Sequence, residues 1–214
     1  MLALPKGCPV TVNLLAANVV LFIAQFASQD LVTDIGLLYG PFVQQGEYWR
    51  ILTSGFLHGG ILHLGFNMYL LYMMGPQLES NLGSTRFSLM YFGSLVGGSL
   101  FVLTFGFMQP TLGASGAVLG LAGAMFVTLA GRGMRVSDSP FFGLVVINLL
   151  LPLIVPGISF WGHFGGVIIG GLMAFTMVWL PERSRGKKPF RNISVGVAIL
   201  IVLIAASFLV VSVK

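Results

Sequence analysis

Six long intervals of this chain contain no charged residue, and this constrains its folding more than any other feature of the sequence. They run from Val10 to Ser28, Ile61 to Leu78, Phe87 to Met108, Thr111 to Gly131, Ser139 to Pro181 and Asn192 to Val213. A helix crossing the hydrocarbon core of a bilayer needs about 20 mainly apolar residues, so each interval has the scale of a membrane span or more. Only 8% of the residues are charged and 56% are hydrophobic, against roughly 25% charged in ordinary soluble domains. Such a chain cannot cover a water-facing surface. With 214 residues it has room for about eight to ten spans at most, so residues 1–214 read as a single membrane domain.

The Ser139 to Pro181 interval is too long for one helix, and Pro152, Pro156 and Gly157 lie in its middle. Proline lacks the helix donor and clashes with the preceding turn, so LPLIVPG predicts a break between two spans. Seven helices follow, the first interrupted by Asn13, Asn18 and Gln25. With the N-terminus inside, inner segments hold Lys6, Arg86, Arg132, Arg135, Arg183, Arg185, Lys187, Lys188 and Arg191, and outer segments hold Arg50 and Lys214. The positive-inside rule then predicts an inner N-terminus and an outer C-terminus. Gln29 to Gly60 mixes aromatic residues with Asp34, Glu47 and Arg50. It reads as an ordered, partly embedded outer loop, with Trp49 and Arg50 anchoring it at the interface.

The net charge of +5 does not imply a nucleic-acid partner, because the cations flank apolar spans and form no basic patch with interleaved aromatics. Cys8 is the only cysteine, which excludes an intramolecular disulfide. MLALPKGCPV lacks the apolar core of a cleaved leader, so the first span is expected to be retained.

Polar groups inside spans are costly and default to functional candidates. His63 and Asn67, four residues apart, share one face of the second helix. Ser115 lies in GASG at the start of the fourth helix, and His163 in WGHFGG at the start of the sixth. These three helices run in the same direction in the topology above, so all four groups converge at the outer end. A serine hydroxyl becomes a nucleophile when a positioned histidine takes its proton. Ser115 and His163 suit that pairing. Unpaired N–H groups at the start of the Ser115 helix, with the side chains of His63 and Asn67, can stabilise an oxyanion. Gly116 and Gly120, and Gly166 and Gly170, form small-xxx-small pairs that let helix backbones approach closely, making the fourth and sixth helices expected neighbours. Asp30, Asp34 and Glu47 fall in the outer loop and Glu79, Asp138 and Glu182 at the inner side. With no acidic residue expected inside a span, the pattern favours a Ser/His dyad over a triad. Taken singly, each of these residues has a plain packing role open to it. His58, at the loop end, reads as structural.

FLHGGILHLGFNMYLLYMMGPQLESNLGSTR, GASGA, GHFGGVIIG and the Trp49–Arg50 pair together resemble the rhomboid family of intramembrane serine proteases, in the family's order, from about Gly46 to Gly171. The resemblance implies Ser115 as nucleophile, His163 as general base, and His63 and Asn67 as oxyanion-hole donors together with the backbone at Ser115. It implies structural roles for Glu79 and Arg86. Some rhomboids stack an aromatic residue, one turn after the serine, on the catalytic histidine, where this chain has Leu119. The resemblance also implies an all-α polytopic membrane bundle, a six-helix core over about 10–181 plus a C-terminal helix over about 192–213. The expected activity is endopeptidase cleavage of single-span membrane proteins near the outer leaflet, with no cofactor or metal and with membrane lipids as surroundings. The expected location is a bacterial cell (inner) membrane, with the N-terminus cytoplasmic. Two other readings are an inactive rhomboid-like protein that binds membrane clients, and a metal or proton transporter using His58, His63 and His163. The absence of HExxH and of a carboxylate within a span counts against the transporter.

Overall fold

The computed structural model describes residues 6–183 and 189–214. Met1 to Pro5, and Arg185, Lys187 and Lys188 of the basic connection, lie outside the described residues. With no water to pair backbone groups in hydrocarbon, the chain satisfies them internally as helices. In order these are α1 (Pro9–Ala27), the short α2 (Leu31–Gly36), α3 (Gly40–Gln44) and α4 (Arg50–Thr53), then α5 (Ile61–Leu82), α6 (Ser84–Phe105), α7 (Ser115–Gly131), α8 (Phe142–Leu150) and α9 (Phe160–Ala174). α9 continues through a π-helical turn, Phe175–Trp179, into α10 (Leu180–Arg183), and α11 (Pro189–Ser212) closes the chain. α1, α5, α6, α7, α8, α9 and α11 occupy the intervals read as spans. Among the described residues, α1, α6, Phe160–Trp179 and Ile193–Ser212 are long and apolar enough to cross a membrane. The bundle is all-α and polytopic.

Three boundaries differ from expectation. α8 has nine residues, about 14 Å of helix, less than half of a hydrocarbon core of about 30 Å. Its start is displaced by turns at Ser139 and Phe141, and its end falls just before Pro152. α7 begins at Ser115 because Thr111 is held extended, exchanging both backbone hydrogen bonds with Leu38 of the long loop. α5 runs past Leu78 to Leu82, so Glu79 lies within a helix and is 2% exposed. An acidic residue inside the helical bundle was not expected. It is tolerated because its carboxylate accepts from the backbone N–H of Val10 (3.0 Å) and Thr11 (2.8 Å) and from the hydroxyls of Thr11 and Ser84 (2.7 Å each). Glu79 thus caps the free N–H groups that begin α1.

α1 turns three of its four polar residues inward. Thr11, Leu14, Asn18 and Gln25 are its buried positions, whereas Val20, Ile23 and Phe26 are exposed. Of the polar residues that interrupt this span, Asn18 and Gln25 therefore face protein, whereas Asn13 is exposed. Gln25 donates to the His58 carbonyl (3.2 Å) and accepts from the His58 N–H (2.9 Å), tying the end of α1 to the start of α5.

Close contacts at glycines set the helix directions. α7 and α9 run parallel: a Cβ at Gly166 would strike the Gly116 carbonyl, and one at Gly170 the Gly120 carbonyl. The two small-residue pairs therefore meet in register. α6 runs antiparallel to α9, with Gly98 against Gly162, Gly97 against Ile169 and Gly93 against Met173. α11 packs on α6 and the far end of α9, with Gly196 against Leu89 and Met177. Gly98 and Gly116 both abut the Gly162 carbonyl, and α6 continues seven residues beyond Gly98. The start of α7 is therefore recessed about 10 Å beneath the end of α6.

The long loop is ordered, and Arg50 pins it from within instead of anchoring it at an interface. Arg50 is 4% exposed; it donates to the Asp34 (2.7 Å) and Leu37 (2.8 Å) carbonyls, pairs with Glu47 (2.6 Å) and lies over the Phe42 ring. Burial forces a guanidinium to fill its donors, and loop carbonyls supply the acceptors. Trp49 does lie at the surface, donating to the Ile35 carbonyl.

Candidate active site

Ser115 is the first residue of α7, and a strained, crowded approach places it there. Gly113 has φ +131°, a conformation that L side chains avoid. A Cβ there would come 2.8 Å from the His63 ring. Gly113 also donates its N–H to the Ser54 carbonyl (2.9 Å), which fastens the turn to the segment after α4. The first intrahelical bond at this end is Val118 N–H to the Ala114 carbonyl. Earlier N–H groups of a helix have no intrahelical partner, and those of Ser115 and Gly116 are among them.

His163 sits in the first turn of α9, which Ser159 caps by accepting from the Gly162 N–H (3.2 Å). The glycine contacts bring the α7 and α9 starts together, and His163 Nε2 lies 2.8 Å from Ser115 Oγ. His163 Nδ1 lies 2.9 Å from the backbone carbonyl of Asn148 in α8. A carbonyl only accepts, so Nδ1 carries the proton and Nε2 presents a lone pair to the Ser115 hydroxyl. The ring is 5% exposed. Leu119, one turn after Ser115, is buried in the apolar core; the Asn148 carbonyl is what orients the ring.

His63 and Asn67 lie on the neighbouring face of α5. The Gly59 N–H donates to His63 Nδ1 (3.3 Å), which leaves the His63 proton on Nε2, on the side facing Gly113 and Ser115. Asn67 donates one amide hydrogen to the His63 carbonyl (2.9 Å), and its amide carries a second. Ser115, His163, His63 and Asn67 line one cavity of about 800 Å³ whose remaining walls include Leu62, Phe66, Val102 and Val155. Its walls are predominantly apolar, with a small number of polar groups converging beside Ser115. No carboxylate lines it, and no group of three or more His, Cys, Asp or Glu that could hold a metal occurs among the described residues. His58 is buried, with its ring edge-to-face on His63 (centroids 5.1 Å apart), and does not line the cavity.

The model for the rhomboid domain matches residues 45–180, well over half of the chain. The chain belongs to the rhomboid family. It is 38% identical over 183 residues to the rhomboid protease GluP of Bacillus subtilis (strain 168), covering 84% of this chain and 35% of GluP. It is 32% identical over 159 residues to the putative rhomboid protease YdcA of the same organism, covering 72% of this chain and 78% of YdcA. It is also 33% identical over 153 residues to the inactive RHOMBOID-like protein 8 of Arabidopsis thaliana, covering 69% of this chain and 43% of that protein. The chain spans about a third of GluP and about half of RHOMBOID-like proteins 6 and 4 of Arabidopsis thaliana.

In this rhomboid the Asn148 carbonyl, the Ser159 cap and the Gly113 backbone are parts of the site that sequence reasoning did not pick out. Ser159 had a legible signal, a serine three residues before Gly162 at the start of an apolar run. The Asn148 carbonyl had none, since any residue supplies one.

Proposed function

We propose that this chain is an intramembrane serine endopeptidase in which Ser115 and His163 form a catalytic dyad. The observation that carries the proposal is the 2.8 Å contact between His163 Nε2 and Ser115 Oγ, made by a ring whose Nδ1 is already committed to a carbonyl. Nε2 takes the hydroxyl proton as Ser115 attacks the peptide carbonyl. The tetrahedral oxyanion is stabilised by the N–H groups at the start of α7 and by the His63 and Asn67 side chains. The imidazolium returns its proton to the leaving amine, and water then hydrolyses the acyl-enzyme, with His163 again as base.

The substrates in this reading are single-span membrane proteins, cut near the outer leaflet after a helix-destabilising segment opens in the cavity. Entry runs past α8 and the Val155 to Ser159 connection; α8 buries only Val145 and Asn148 along its length. The reading also has one membrane domain, a bacterial cell (inner) membrane, and a cytoplasmic N-terminus supported by the nine-to-two cation distribution. The test is incubation of purified protein with a panel of single-span substrates in liposomes, with mass spectrometry of the products. Cuts at the span's outer end that vanish with Ser115→Ala are expected. Client binding with no cleavage would instead support the inactive-relative reading.

A further inference from the structure

The Asn148 carbonyl is an unusual acceptor, because in an uninterrupted helix it would be taken by the N–H of the residue four positions on. That residue is Pro152, which has no N–H, and whose ring pushes away from the carbonyl of the residue four before it. The Leu151 N–H bonds to the Ile147 carbonyl, α8 ends at Leu150, and the chain goes on as a 3₁₀ turn over Leu151–Leu153. The ladder therefore stops one bond short of Asn148, and its carbonyl is left to His163 Nδ1 at 2.9 Å. The Asn148 side chain takes no part, since its amide donates back to the Leu144 carbonyl (2.7 Å).

We propose that Pro152 is a positioning residue: by withholding a donor from Asn148, it lets α8 hold His163 in the tautomer whose Nε2 accepts from Ser115. This rests on the dyad reading for its consequence in catalysis, though the tautomer itself does not depend on that reading. It also makes the base conditional on α8. The helix flanking the entry route supplies the acceptor, so an outward shift of α8 frees Nδ1 and lets the ring protonate on Nε2, which blocks proton removal from Ser115.

The test is ¹⁵N NMR of histidine-labelled protein in detergent, assigned by His58→Ala, His63→Ala and His163→Ala, alongside labelling of Ser115 by a fluorophosphonate. In the unmodified protein His163 should be protonated on Nδ1 when neutral; finding the Nε2–H form there overturns the proposal without any variant. Pro152→Ala restores an N–H opposite the Asn148 carbonyl. It should raise the Nε2–H population of His163 and slow Ser115 labelling roughly fivefold to tenfold, the effect of one competed hydrogen bond. Pro140→Ala, which removes an exposed proline before the start of α8 that neither lines the cavity nor faces Asn148, should change neither. A Pro152→Ala protein that labels slowly with an unaltered tautomer, or keeps both tautomer and labelling rate, overturns the positioning role. If the unmodified protein shows the Nδ1–H tautomer but neither labels at Ser115 nor cleaves, the dyad reading fails while the tautomer assignment stands.

Discussion

At the scale of residues, the proposed dyad forms one proton path, and its members should not behave additively. Ser115→Ala and His163→Ala should each abolish nearly all cleavage, and the double variant should be scarcely slower than either single one, because each removes the same step. Steady-state turnover of a single-span substrate measures this; wild-type turnover by a correctly inserted Ser115→Ala protein refutes it. In the proposed mechanism His63 acts otherwise, as an oxyanion donor through the Nε2 proton left by the Gly59 N–H bond to Nδ1. His63→Ala should lower kcat by roughly 100-fold while Ser115 remains reactive toward a fluorophosphonate. Equal loss of both would place His63 in proton transfer instead.

At the scale of elements, backbone contact between α7 and α9 is what brings the hydroxyl to the imidazole. Gly166→Leu places a side chain against the Gly116 carbonyl, where neighbouring backbone cannot yield. Overpacking of this kind costs about 1–3 kcal/mol, and the displacement should separate Ser115 from His163. Thermal unfolding in detergent should shift down, and activity should fall further than stability does. Gly143 of α8 has nothing within 4 Å of an added Cβ, so Gly143→Ala should leave the unfolding midpoint unchanged or raised. At the other end of the bundle, Glu79→Ala leaves two backbone N–H groups and two hydroxyls without their acceptor. A loss of about 2–4 kcal/mol is expected for such a buried charged acceptor. Retained stability in an unfolding titration would mean that water replaces the carboxylate.

At the scale of the whole molecule, helix direction and cation distribution point the same way. The site end of the bundle gathers the starts of α5, α7 and α9, and the sequence puts few cations there. A reporter fused after Lys188 should therefore register as cytoplasmic. An external signal would invert the bundle and move the site to the inner leaflet.

The division between what was legible and what was not follows the range of the forces involved. Helices, their approximate ends and the all-α membrane class follow from hydrophobicity and proline, which act within a few residues, and were readable in the charge-free intervals. Ser115, His163, His63 and Asn67 stood out because polar groups in apolar spans are costly and few. The inward polar face of α1, Glu79 as a remote cap and Arg50 as an internal pin were not readable, since each depends on acceptors or donors brought from distant segments. The shortness of α8 and the Asn148 carbonyl were decided only in three dimensions. A backbone acceptor has no residue type to announce it, and packing of α8 beside α9 alone determines that this carbonyl meets His163.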